Sequence, residues 1–283
     1  MRFHQLDDAT RRRFEDDGFL IVRGALAADE VAELIDAGER LIASDQVFDR
    51  TGAKDAAYDS FRNAIAHGGP AYERLLTHGP TVSIAAQLLS KNLQLHTSQL
   101  IWKRPEPGAD PRALSPGWHR DIHTVTADLG EDAVQRFEVK IAYYLSPAHG
   151  RESGVTMVAR GSHRWRGAPR FDAHRDPPDV VVPDLEPGDA LLFENRTWHA
   201  AAVNTSAITR RCAIYGYSYR WMRPDDWVVQ DPALVARLDP VGRDLVTPMC
   251  WRDRDGRFSL QPNIEALHGW FDQHRARGAA AAS

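Results

Sequence analysis

Apolar positions follow two different periods along the chain. Residues 8 to 17 form a helix-compatible run that Gly18 closes, and Phe19 to Val22 after it reads as a short strand. From Asp29 onward Val31, Leu34, Ile35, Leu41 and Ile42 recur at helical spacing, which predicts a surface helix with one packed face. Residues 45 to 69 read as a loop. Two further helical stretches follow, Ala71 to Thr77 and Thr81 to Leu89, the second behind a Gly79-Pro80 break. From Leu93 the pattern changes to short strands: Leu93 to Lys103, Trp118 to Ile122, Phe137 to Leu145, Val155 to Val158, Val180 to Val182, Ala190 to Phe193, Trp198 to Val203 and Arg211 to Trp221. Turn chemistry at Ser115-Pro116-Gly117, Arg160-Gly161-Ser162 and Glu186-Pro187-Gly188-Asp189 separates them. Beyond them, Asp231 to Leu238 reads as a helix and the Ala-rich end, Ala279 to Ser283, as a frayed tail.

Helices in front and closely spaced strands behind predict a mainly β fold with flanking helices. The expected architecture is a double-stranded β-helix, that is a cupin-like jelly roll, with the N-terminal helices packed on the outer sheet. With no repeat and no interior linker, residues 1–283 are expected to form one domain. Its jelly-roll core spans about 93–222, with N-terminal helical support over 1–92 and a C-terminal extension over 223–283.

Composition narrows the function classes. A net charge of -4 and a sequence pI near 6.3 leave no basic footprint for nucleic acid, and Arg11-Arg12-Arg13 is too short to supply one. Cys212 and Cys250 are too few for a disulfide framework, and no apolar run reaches the roughly 20 residues a membrane span needs. The first 30 residues carry acids and arginines where a secretory segment would be apolar, so a cytoplasmic protein with a small-molecule partner is expected.

Candidate chemistry centres on a tripeptide that occurs twice, His119-Arg120-Asp121 and His174-Arg175-Asp176. A His-x-Asp pair is expected about once by chance in a chain of this composition, so context has to separate the two. His119 and Asp121 fall in a predicted strand, where period two turns both side chains to one face. Pro177 and Pro178 place the second triplet in a solvated loop. A third ligand is offered by His199, far enough along the chain for intervening strands to bring it back. Two imidazoles and one carboxylate on one face of a metal leave the other face open, as an oxygen-activating iron site requires. Taken singly, His119 is as readily a core histidine and Asp121 a turn or cap residue, and His199 is more often a plain strand histidine than a ligand.

Several segments together resemble the phytanoyl-CoA dioxygenase family of Fe(II)- and 2-oxoglutarate-dependent oxygenases. They are the strand Gln99-Leu-Ile-Trp-Lys-Arg-Pro105, then Trp118-His-Arg-Asp121, then Gly161-Ser-His163, then Pro187-Gly-Asp189 with Phe193, and finally His199 with Asn204 and Arg210. The resemblance spans about residues 8 to 247. It implies Fe(II), 2-oxoglutarate and O2 as cofactor and cosubstrates, His119, Asp121 and His199 as metal ligands, and Arg210 as the grip on the far carboxylate of 2-oxoglutarate. A planar guanidinium suits that task. Its neighbour Arg211 faces the other way in a strand.

Three features qualify the carry-over. Ala201 stands where members often have Ser or Thr as a second cosubstrate contact, and Arg160 stands for the usual Pro before Gly-Ser-His. Gln99 and Lys103 share a strand face and are candidates for cosubstrate or substrate contact. The implied reaction is hydroxylation of an unactivated C–H bond of a small molecule, as in natural product biosynthesis. Halogenation is disfavoured because Asp121 keeps the carboxylate ligand. Desaturation, epoxidation and ring expansion stay open. Trp102, Trp118, His123, Tyr143, Trp198 and Trp221 are near enough in sequence to line a pocket, although strand aromatics are more often plain core. No segment looks built for a coenzyme A phosphate. Two other classes compete, a cupin-like metalloenzyme that does not use 2-oxoglutarate and a non-catalytic jelly-roll binding protein.

Overall fold

The computed structural model describes residues 3–44, 57–131, 135–166, 172, 174–252, 255–260 and 263–281. Helix α1 (Asp8–Asp17) starts where the Asp7 carboxylate accepts from Thr10 N and stops at Gly18, whose φ of 81° is left-handed. The chain turns there into β1 (Phe19–Val22), and α2 (Ala28–Ala43) follows with Val31, Leu34 and Leu41 on its buried face. Of the expected loop over 45 to 69, residues 45–56 lie outside the described residues. The remainder is ordered into β2 (Tyr58–Arg62) and the short helix α3 (Ala64–His67). Helices α4 (Pro70–Leu76) and α5 (Gly79–Leu88) complete the N-terminal layer.

The strands that follow are β3 (Leu93–Lys103), β4 (Glu138–Tyr144), β5 (Thr156–Ala159), β6 (Val180–Val181), β7 (Ala190–Glu194), β8 (His199–Ala201) and β9 (Arg210–Tyr219). They form two antiparallel sheets, a six-stranded one in the order β1-β7-β4-β9-β3-β2 and a three-stranded one in the order β6-β5-β8. This is the expected jelly roll. The predicted strand Trp118 to Ile122 is not one. Its segment runs beside β8 through single bridges at Leu114↔Ala202 and His119↔His199, and then Ile122, at φ 53°, turns it into α6 (His123–Leu129).

Period two on the large sheet divides its residues between two cores. Leu100, Trp102, Ile141, Tyr143, Tyr215 and Tyr217 face the helices, where Phe14, Leu34, Leu41, Tyr72 and Ile84 meet them. Ala142, Tyr144, Leu191, Phe193 and Cys212 face the small sheet and pack with Trp118, Val155, Met157 and Ala200. Gly38 of α2 lies so close to β3 that a Cβ there would sit 2.6 Å from the Trp102 ring. The helix therefore seats directly on that indole.

The C-terminal extension holds α7 (Pro232–Arg237) near its predicted place, and also α8 (Pro240–Val246) and α9 (Glu265–Ala281). Residues 279–281, expected to fray, continue α9, in keeping with alanine's helix propensity. No helix among the described residues is long and apolar enough to cross a membrane.

Candidate metal centre and cosubstrate pocket

The corner between α1 and β1 sets the position of the distal histidine. Thr197 Oγ1 donates to Gly18 O at 2.7 Å, and the Thr197 carbonyl accepts from His199 Nδ1 at 2.9 Å. Ser162 of the Gly-Ser-His turn fixes the residue between them by accepting from Trp198 N at 2.8 Å. His119 is held in the same manner, with Nδ1 2.8 Å from the Gly117 carbonyl. A proton on each Nδ1 leaves each Nε2 lone pair free, which is the tautomer a metal needs. The paired backbone of residues 119 and 199 brings the rings to a centroid distance of 4.2 Å.

Asp121 completes the cluster. Donor atoms of His119, Asp121 and His199 lie within 4.8 Å of one another, and among the described residues this is the one such group of three. Lys140 Nζ donates to Asp121 Oδ1 at 2.6 Å, while Oδ2 is buried without a hydrogen-bond partner, 3.6 Å from His199 Nε2. Burial by itself would raise the Asp121 pKa. The Lys140 ammonium, through its charge and its hydrogen bond, outweighs it and holds the carboxyl well below its ordinary value. His199 is pushed down to about 3 by burial and by His119, against the pull of Asp121, so its imidazole is neutral at ordinary pH.

A second charged locus lies on the inner face of the large sheet. Lys103 and Arg210 are directly paired across β3 and β9, and they are 1% and 3% exposed. Lys103 Nζ donates to Ser115 O at 2.5 Å and Ala202 O at 2.6 Å, and Arg210 Nη1 donates to Gly154 O at 2.9 Å. Arg210 Nε is buried without a partner. Burial and the adjacent guanidinium push Lys103 down to about 7. Two buried cations side by side are costly, and an anion between them would relieve the cost. Asn204 supports the locus by donating to Lys103 O and Ile208 O, both at 2.8 Å. Arg211 points to the helical side and pairs with Glu39.

The family model described as phytanoyl-CoA dioxygenase (PhyH) matches residues 14–212. The chain belongs to the phytanoyl-CoA dioxygenase family. It is 25% identical over 234 residues to the ectoine dioxygenase of Sphingopyxis alaskensis, covering 72% of this chain and 73% of the relative. The crystal structure of EctD from S. alaskensis in its apoform aligns with a TM-score of 0.63 at 26% identity, over 83% of this chain and 85% of that one. The epimerase SnoN, crystallised with Fe3+, alpha ketoglutarate and nogalamycin RO, shares the fold with a TM-score of 0.61 at 22% identity, over 80% and 92% of the two chains.

Fe(II), 2-oxoglutarate and O2 are the cofactor and cosubstrates that go with the phytanoyl-CoA dioxygenase family, and the donor set of this member fits them. Two Nε2 atoms and one orphaned carboxylate oxygen converge on one point. The buried cation pair suits a dicarboxylate.

Other expected site residues are placed as follows. Gln99 lies on the same sheet face as Lys103 and donates to Ser60 Oγ at 2.5 Å. Trp118 and Trp198 are packed between the sheets. The Trp118 indole donates to Asp176 Oδ1 at 3.2 Å, and Arg120 lies 5.1 Å from the centre of the Trp198 ring. His123 is exposed at the start of α6. Three pocket expectations fail. Trp102 and Tyr143 stand on the helical face of the large sheet, the indole donating to Glu39 Oε1 and the phenol paired with Thr81 Oγ1. Trp221 is 60% exposed and lines a separate cavity of about 1140 Å³ with Met222, Trp227 and Val246 of the extension. The second triplet stays apart from the donor cluster, with His174 exposed and Asp176 paired to Arg151 at 2.6 Å.

Three residues at this site escaped the sequence analysis. Lys140 carries its own signal, a charge inside the apolar run Val139 to Leu145. Thr156 is opposite Ala201 in the β5–β8 register, on the face that Val158 shares with His199. Tyr144 accepts from Thr156 N at 2.9 Å, and the Arg210 charge acts on its phenol. Only strand pairing reveals the last two.

Proposed function

We propose that this chain is an Fe(II)- and 2-oxoglutarate-dependent hydroxylase of a small molecule in specialised metabolism, working as one domain over residues 1–283. His119, Asp121 and His199 are its metal ligands, and Arg210 with Lys103 receives the far carboxylate of 2-oxoglutarate. The convergence of three donors on one point carries this reading. When bound, iron and the keto acid supply the oxidising chemistry, which consumes O2 and releases succinate and CO2.

The chain's own residues supply the setting. The Gly117 and Thr197 carbonyls orient the two imidazoles, and burial keeps His199 unprotonated and ready to ligate. Arg210 and Lys103 would hold the cosubstrate by its distal carboxylate, leaving its keto acid end for the triad. Thr156 and Tyr144 offer hydroxyls near the position where Ala201 has none. Gln99 is placed to meet cosubstrate or substrate. The carboxylate ligand Asp121 favours hydroxylation over halogenation. Support for a small-molecule substrate comes from the relative named for ectoine.

The test is succinate formation from 2-oxoglutarate under O2 with Fe(II), stimulated by a candidate substrate that gains one oxygen atom. Metal binding without succinate would instead favour a cupin-like enzyme that has no use for Arg210. Formation of a desaturated or rearranged product would keep the cofactors and replace hydroxylation.

A further inference from the structure

The chain has four lysines, and Lys140 occupies an unexpected place for one. It stands on the inner face of β4, paired with Phe193 on one side and Gly216 on the other. The Phe193 ring in turn packs on His199 at a centroid distance of 4.6 Å. A side chain at Gly216 would displace Glu138, since a Cβ there would lie 2.1 Å from Glu138 Oε1. Glu138 is itself 1% exposed, with Oε1 2.9 Å from His96 Nδ1 and Oε2 unpartnered. Lys140 thus faces two acids, Asp121 and Glu138, and the like charge of Arg62 acts against it. Burial works against its charge, and the two carboxylates more than offset that, raising its pKa.

The two oxygens of Asp121 are treated differently. Oδ1 takes the Lys140 ammonium at 2.6 Å, and Oδ2 is left bare beside the imidazoles. An unrestrained carboxylate can chelate a cation through both oxygens, whereas one committed on one side to an ammonium ion has a single oxygen to give. A bidentate carboxylate would consume a coordination position that a chelating keto acid requires. The ammonium also offsets the charge that Asp121 brings to the centre, which favours a dianionic cosubstrate.

We infer that Lys140 is a positioning residue that confines Asp121 to single-oxygen ligation and so keeps the centre open to 2-oxoglutarate. The inference rests on the triad being the metal site, and its experiment separates the two. Calorimetric titration of the full-length protein with Mn(II), and then of the Mn(II) complex with 2-oxoglutarate, is compared for wild type, Lys140→Met and Lys140→Arg. Lys140→Met removes the hydrogen bond to Asp121 and one positive charge, so it is expected to weaken 2-oxoglutarate binding by about tenfold or more, the scale of a lost hydrogen bond to a charged group. Its Mn(II) affinity should stay within about threefold of wild type, and Lys140→Arg should recover most of the 2-oxoglutarate affinity.

A merely structural role for Lys140 would lower both affinities together or leave both unchanged, and either result overturns the inference. If Lys140→Met does not fold, Lys140→Leu, which likewise removes both the donor and the charge, is read in the same titration against the same limits. Failure of wild type to bind Mn(II) would overturn the metal site and this inference with it.

Discussion

The two faces of the large sheet are built from the same strands and differ in how they treat polar atoms. On the helical face the buried phenols all find partners. Tyr215 donates to Tyr72 O at 2.6 Å, Tyr217 to Leu76 O at 2.8 Å and Tyr72 to Leu34 O at 3.3 Å. On the inner face and the segment covering it, Asp121 Oδ2, Glu138 Oε2 and Arg210 Nε are buried without partners. Other such atoms lie elsewhere, but these three fall at two loci, Asp121 and Glu138 about Lys140, and Arg210 beside Lys103. An unsatisfied buried polar group costs stability unless something else meets it. The satisfied face is therefore core, and the unsatisfied one is arranged around groups that bind there.

This contrast predicts that substitutions on the two faces separate chemistry from stability. The largest effect is expected from His199→Ala, which removes one of three ligands and should weaken Mn(II) or Fe(II) binding by more than about a hundredfold. Calorimetry would measure it, while the unfolding midpoint should change little. Trp102→Ala should do the reverse. It leaves a cavity under α2 and should cost about 3–5 kcal/mol in urea-unfolding stability, with metal affinity intact. If Trp102→Ala lost metal binding in a still folded protein, the division between the faces would be wrong.

Arg210→Met lies between these extremes. It should raise the 2-oxoglutarate dissociation constant by about ten- to a hundredfold, the worth of roughly 1.5–3 kcal/mol for hydrogen bonds to a charged group, without altering metal affinity. The smallest predicted effect concerns protons. Lys103 is pushed down to about 7, so it is largely neutral above that pH in the ligand-free protein. A carboxylate arriving beside it favours the ammonium and raises its pKa, and binding above pH 7 should therefore take up protons, about one at most. Titrations at pH 8 in buffers of different ionisation heat would reveal the uptake, and Lys103→Met should abolish it.

Much of the scaffold was legible from apolar spacing. β3, β4, β7 and β9 fall close to their predicted ranges, because each carries apolar residues at strand spacing without Pro inside it. The segment at 118–122 was misread as a strand. Its neighbours hold it through single bridges, and the left-handed turn at Ile122 has no Gly or Asn to announce it. α9 was missed because its polar and small residues mark no strong apolar stripe.

At the site, order and spacing identified the three candidate ligands, while side-chain direction proved harder. Trp102 was counted with the pocket although Gln99 and Lys103 on the same strand point inward, and period two already places residue 102 on the opposite face. Thr156 and Tyr144 depend on cross-strand register, which no single segment carries.

The most direct measurement mixes the protein anaerobically with Fe(II) and 2-oxoglutarate and records the visible spectrum. The charge-transfer absorption of an iron-bound keto acid is expected with the wild-type chain and absent with His199→Ala. A folded wild-type protein that develops no such absorption would contradict the assignment of His119, Asp121 and His199 as the iron ligands.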